Sequence, residues 1–364
     1  MSVRVSGVGA RAYRLPLHRA WDGGVDRNDL VVVRVHTDTG QVGTGFAWTP
    51  LIGARAVEAL VNDDCPAALV GREAHPALWD ELCWHLREAG TSGLTLMAAA
   101  GIDIALWDLR ARAAGESLVE AVGRRRESVS AYGSGVNLDY PLADLEDQVR
   151  RWVGAGHTAV KIKVGSAELS RDVERVGAVR ELVGPEGVLM VDANQRWDVP
   201  GAARALGALA DFDPFFVEEP LPAQDLEAHA RLRERTGVPF AIGENLRTVQ
   251  EFERAVELGV VDVAQPNVVR VGGITPFLRI AESMARRGVP VAPHLLPELS
   301  GQLALCLPRV AMVEEIDRAS FAELGALARP SGVEFDRGRV RADTGPGHGL
   351  VFADTLTPVA DHFP

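Results

Sequence analysis

From about residue 128 the chain alternates short apolar runs with longer stretches in which apolar residues recur at helical spacing. The runs are "VSAYGSGV", "AVKIKVG", "VLMVDANQ", "FFVEEP", "FAIGENL", "VVDVAQPNV", "PVAPHLL" and "AMVEEID". The stretches between them, such as "AELSRDVERVGAVRELVG" and "TVQEFERAVELG", end at glycine, the usual punctuation of a helix C-terminus. Eight strands alternating with about seven helices predict an α/β fold, a parallel (β/α)7β TIM-like barrel over residues 126–325. A doubly wound sheet would normally carry a Gly-rich dinucleotide fingerprint after a strand, and none of these runs is followed by one.

Residues 1–125 have a different texture. A strand is expected near 3–15, and "LVVVRVHTDTGQVGTGFAW" reads as two strands around an Asp-Thr-Gly turn, with helices following. "LTLMAAAGIDIALWDLRARAAG" is apolar on every side, so it predicts a buried helix with Met97 and Trp107 in the core. Together these make an α+β capping domain. "LHRAWDGGVDRND" and "WTPLIGA" are polar or Gly/Pro-bearing and read as mobile loops able to close over a ligand. The segment 326–364 returns to irregular, strand-like sequence and is expected to pack on the cap.

Composition narrows the partners. A net charge of -12 and scattered arginines argue against a phosphate-binding surface, so nucleic acid is not expected. The three cysteines, Cys65, Cys83 and Cys306, are odd in number and widely spaced, which suits reduced thiols used in packing. The start of the chain lacks an apolar signal core, and no long apolar run appears elsewhere. No membrane association is expected, and a cytoplasmic location is.

The chemistry lies at the strand ends. The last polar side chains of successive runs are Lys163, Asp192, Glu218, Glu244, Asn267, His294 and Glu314, spaced by 20 to 29 residues, about one βα unit each. In a barrel the C-terminal ends of all strands meet at one mouth, so these side chains should converge. Asp192, Glu218 and Glu244 would repel one another unless a cation neutralised them, and an all-oxygen set points to Mg²⁺. "KIK" puts Lys161 and Lys163 on one face of a strand, where two ammonium groups beside a dication should depress each other's basicity and make a usable base. Across the mouth stands His294, suited to proton transfer at neutral pH. Glu314 is a candidate neutral hydrogen-bond donor, provided that it is held protonated. A metal between a lysine and a histidine suits removal of a poorly acidic proton next to a carboxylate, with an enediolate as the intermediate.

These residues resemble the enolase superfamily, in particular its mandelate racemase subgroup. "MAAAGIDIALWD", "VKIKVG", "VDANQ", "VEEP", "GEN", "GGI" and "HLLPELS" stand in the family's order and spacing. The resemblance implies Mg²⁺ on Asp192, Glu218 and Glu244, acid/base work by Lys163 and His294, and Glu314 as a carboxylic acid beside the substrate carboxylate. It also implies a substrate contact at Asn194, support of the ligands by Glu219 and Asn245, and a homo-oligomer. The two loops, the second headed by Trp48, correspond to those that choose the substrate.

Asn267 departs from the family pattern, which carries an aspartate paired with the histidine, or a lysine in the muconate-lactonising branch. An amide brings no charge. It can accept from His294 Nδ1–H, leaving Nε2 a weak base, or donate to Nδ1, leaving Nε2–H as a donor. The missing charge pair weakens a two-base racemase. The favoured expectation is dehydration of an acid sugar, an aldonic or aldaric acid, to a 2-keto-3-deoxy acid. Racemisation or epimerisation of a 2-hydroxy acid, cycloisomerisation of a sugar lactone and a non-catalytic sugar-acid-binding barrel are the alternatives.

Overall fold

The computed structural model describes residues 3–360. It opens with an antiparallel meander of β1 (Val5–Trp21), β2 (Val25–Thr37) and β3 (Val42–Pro50), with the turn between β2 and β3 at Asp38–Gly40. The helix Leu94–Ala114 lies across this sheet and buries residues around its whole circumference, as its uniformly apolar sequence predicts. Trp107 is buried and Met97 half-buried. Contact is backbone to backbone: a Cβ at Gly45 would stand 2.0 Å from the Gly101 carbonyl oxygen.

The barrel follows as β4 (Val129–Ser134), β5 (Ala159–Lys163), β6 (Val188–Asp192), β7 (Val217–Glu218), β8 (Phe240–Ile242) and β9 (Val263–Ala264), each pairing in parallel with the next. The seventh position is narrower than its run predicts, with Val291 bridging to Ala264 on one side and Val310 on the other. β10 (Val313–Ile316) closes the ring against β4. Every residue of β5 is buried, because helices cover one side of the strand and the barrel core fills the other. Helix starts are written locally: Thr248 and Glu251 form a reciprocal capping box, and Asp198 and Asp225 accept from the backbone of Gly201 and Ala228.

Cap and barrel are stitched by buried polar contacts. Asp103, on the long cap helix, accepts from the amide and hydroxyl of Thr275 at 2.8 and 2.6 Å, and Trp79 Nε1 donates to the Gly272 carbonyl. The end of the chain serves both parts. β11 (Val333–Asp336) and β12 (Arg339–Ala342) form a hairpin added antiparallel to β4, and β13 (Thr357–Pro358) pairs with β1. Residues 361–364 of the closing segment lie outside the described residues.

The two expected loops are largely strand. Residues 16–21 and 25–28 extend β1 and β2 into a two-stranded flap whose tip turns at Asp22–Gly24, and 48–50 complete β3. The flap is fastened over the barrel: Asp22 accepts from the amides of Leu138 and Asp139, and Arg19 pairs with Asp144 and lies on the Tyr140 ring. Cys65 and Cys306 are buried and Cys83 half-buried, all three as free thiols pushed up to about 12 by burial. Among the described residues no helix is long and apolar enough to cross a membrane.

Candidate active site

Parallel pairing aligns the strand ends, with Lys163 opposite Asp192 and Asp192 opposite Glu218 in the sheet register. Above them a cavity of about 370 Å³ is bounded by Lys163, Asn194, Glu244, His294 and Glu314 from the barrel and by Trp21 and Trp48 from the cap. All seven strand-end residues singled out in the sequence are buried. Trp48 projects from β3, its ring 6.4 Å from that of Trp21. Around the mouth the chain turns sharply, with left-handed backbone at Asn194, Gln195, Glu219, Leu295 and Leu296, where strain is held in place by the surrounding packing.

The two lysines each have a carboxylate partner. Lys161 Nζ lies 2.6 Å from Glu218 and 3.1 Å from Glu314, and Lys163 Nζ hydrogen-bonds Asp192. Burial alone would lower both ammonium groups, but the carboxylates outweigh it, Glu218 and Glu314 at Lys161 and Asp192 at Lys163, so both stand above the ordinary lysine value. The expected mutual depression is therefore overridden by ion pairing. Glu314 also differs from expectation. Burial would raise its carboxyl, but Lys161, His294, the Ser134 hydroxyl and the Leu295 amide hold it down to about 2. It is an ionised acceptor, not a neutral donor.

Glu218, Glu244 and His294 offer ligand atoms all within 4.8 Å of one another. Glu218 Oε1 is buried with no hydrogen-bond partner, while Oε2 accepts from Lys161 and Gln265. A carboxylate oxygen orphaned in this way fits a cation site, since nothing else present repays its desolvation. Asp192, the other expected ligand, is turned onto Lys163 and accepts from the Asn194 amide. Asn245 donates to Glu219 at 2.7 Å and Glu244 at 3.0 Å, steadying the second carboxylate.

The geometry at Asn267 selects between its two possible roles. Its Oδ1 accepts from the amides of Val269 and Arg270, so its Nδ2 is the atom 3.1 Å from His294 Nδ1. Nδ2 can only donate, which makes Nδ1 an acceptor and puts the imidazole hydrogen on Nε2, 2.9 Å from Glu244 Oε2. His294 thereby presents Nε2–H as a hydrogen-bond donor. Sequence reasoning missed Gln265, which period-two alternation from Asn267 could have found, and Ser134, Arg196 and Arg270, whose sequence positions carry no comparable signal.

Family models match at both ends of the chain: the mandelate racemase / muconate lactonizing enzyme N-terminal domain over residues 2–123, and the enolase C-terminal domain-like model over residues 144–356. The chain belongs to the mandelate racemase / muconate lactonizing enzyme family of the enolase superfamily. Within that family it is 35% identical to 3,6-anhydro-α-L-galactonate cycloisomerase of Streptomyces coelicolor, over 93% of this chain and 94% of that one. It is 34% identical to L-talarate/galactarate dehydratase of Salmonella typhimurium, over 79% and 73%. The structure of L-talarate dehydratase from a Polaromonas species, complexed with Mg and L-glucarate, superposes with a TM-score of 0.88 at 35% identity, covering 98% of this chain and 96% of that one. The chain is thus an enzyme-family barrel whose relatives are named as dehydratases and cycloisomerases.

Proposed function

We propose that the protein removes the proton α to the carboxylate of a small sugar acid in a Mg²⁺-dependent reaction and eliminates the β-oxygen, dehydrating an aldonic or aldaric acid to a 2-keto-3-deoxy acid. Asp192, Glu218 and Glu244 would hold the metal, Glu218 through its unpartnered oxygen. Mg²⁺ held by these carboxylates would supply positive charge beside the substrate carboxylate, and Asp192 as a ligand would no longer neutralise Lys163. Released from Asp192, and with burial and the neighbouring Lys161 ammonium both lowering it, Lys163 would become the neutral amine that takes the α-proton. Lys161, paired with Glu314, adds a fixed charge beside the carboxylate, and Asn194 and Trp48 contact the rest of the substrate.

The observation that carries elimination over racemisation is the Asn267 amide. A racemase needs a free lone pair on His294 Nε2, hence Nδ1–H, and Nδ1 here faces a donor. An imidazole that carries its hydrogen on Nε2 can instead hydrogen-bond the departing oxygen and lower the charge that builds on it. Cycloisomerisation is the second reading, supported by the paired indoles of Trp21 and Trp48 along the cavity wall, which suit the face of a ring substrate.

The test is incubation with Mg²⁺ and a panel of sugar acids, sugar-acid lactones and aromatic hydroxy-acids in D₂O, scoring deuterium uptake and keto-acid formation together. Keto-acid is expected, and Lys163→Ala should lower both signals by at least about a thousandfold. Exchange from both enantiomers without elimination would instead establish a racemase, and no turnover of any member with retained ligand binding would leave a sugar-acid-binding barrel. The reading further includes a cap at 1–125, a barrel at 126–325 and a shared closing segment at 326–364, in a cytoplasmic homo-oligomer. The exposed side chains of Ile52 and Trp84 are apolar surface that such an assembly could cover.

A further inference from the structure

The charged side chains that line the cavity are already engaged, with one exception. Lys163 pairs with Asp192, Arg270 with Glu244, Glu314 with Lys161, His294 with Glu244, and Asp22 with two backbone amides. Arg196 lines the same cavity and its guanidinium has no hydrogen bond or ion pair among the described residues. Its placement is built by the fold. After Asp192 the chain passes through left-handed Asn194 and Gln195 to Arg196, an exposed side chain that packs on Gly165, two residues beyond the end of β5. There its stem lies on Gly165, where a Cβ would come within 2.8 Å of Arg196 Cδ. Any larger residue at 165 would push the side chain off that position, and Gly165 at φ +101 also tolerates the backbone that only glycine adopts readily. The Asn194 side chain, two residues back on the same turn, is likewise without a partner among the described residues.

Charge matching then separates two substrate classes that share the α-proton chemistry. The first carboxylate of a sugar acid is accounted for by the metal and Lys161. A monocarboxylic acid leaves the Arg196 guanidinium solvated, whereas a dicarboxylic acid gives it a planar anion, the geometry arginine reads best. We propose that Arg196 is a specificity-determining residue that binds the far carboxylate of an aldaric acid, so the preferred substrates are dicarboxylic. This rests on the sugar-acid reading above and names the substrate class within it.

The test uses pairs that differ only at the far carbon, galactarate with galactonate and glucarate with gluconate, on the Mg²⁺-loaded wild type, Arg196→Gln and Arg196→Lys. The wild type should favour one or both diacids by at least tenfold in kcat/KM. Arg196→Gln should cost that diacid at least tenfold, mostly in KM, while its monoacid partner changes less than twofold, and Arg196→Lys should recover part of the loss. Equal losses in both members of a pair, or no loss for the diacid, would show an ordinary solvated surface arginine and overturn the proposal. Where no pair is turned over, the elimination reading fails by itself, and calorimetric binding of galactarate and galactonate decides the role of Arg196 separately. A tenfold loss of galactarate affinity alone in Arg196→Gln supports it, and unchanged affinity or absence of binding overturns it.

Discussion

At Asn267 the two ends of one amide are assigned by different partners, backbone N–H groups at Oδ1 and an imidazole at Nδ2. Asn267→Asp keeps the oxygen that accepts from the Val269 and Arg270 amides, gives up the Nδ2 hydrogen bond to the His294 carbonyl, and sets a carboxylate oxygen against Nδ1, so the hydrogen should move to Nδ1 and free Nε2 as a base. The expected outcome is at least a tenfold gain in α-proton exchange from the histidine face, with the ¹⁵N shifts of His294 reporting the change of tautomer. Unchanged shifts would show that the two residues are uncoupled. The sequence located this position and narrowed its role to two options, but the choice depended on the Val269 and Arg270 amides, which exist as donors only once the turn has folded. Glu314 was legible as a member of the site and not in its protonation state. Whether a buried carboxyl keeps its proton depends on four contacts, from Lys161, His294, Ser134 and Leu295, that arrive from other elements.

Between elements, the buried carboxyl of Asp103 ties the cap helix to the start of the helix Ile274–Arg286. Burial, only partly offset by its Thr275 hydrogen bonds, raises it to about 7. A carboxyl whose folded value is raised stabilises the fold fully below its unfolded value, near 3.8, and that contribution is lost as the pH rises through about 7. Asp103→Asn cannot titrate, so the Tm of the variant minus that of the wild type should increase from pH 4 to pH 7.5 in thermal melts. A constant difference would mean that Asp103 does not change its protonation across this range. The flap shows why an element can hide from pattern reading. A two-stranded ribbon reaching over a cavity has no core of its own on either side, so β1 and β2 beyond residue 16 carry mixed polar residues and lack the alternation that marked the rest of the meander.

Across the whole molecule, the barrel was readable because each strand is buried on both faces and each helix on one, a contrast that repeats at every βα unit. The way the chain end is shared between cap and barrel was not, since short edge pairings such as β13 on β1 leave little trace in composition. Those shared contacts, with the edge-to-face cluster of Phe46, Phe321 and Phe352 at centroid separations of 5.0 to 5.8 Å, join the two parts through side chains from all three regions. One cooperative calorimetric transition is therefore expected, and two resolved peaks would contradict it.

Asparagine and aspartate differ by a single base in their codons. On the proposed reading, in which Asp192, Glu218 and Glu244 hold the metal and Lys163 is a base, a barrel that eliminates and one able to take protons from both faces differ by one substitution at 267, whose oxygen keeps the Val269 and Arg270 amides. On that reading, the choice between the two chemistries is set by one side-chain atom and not by the fold that carries it.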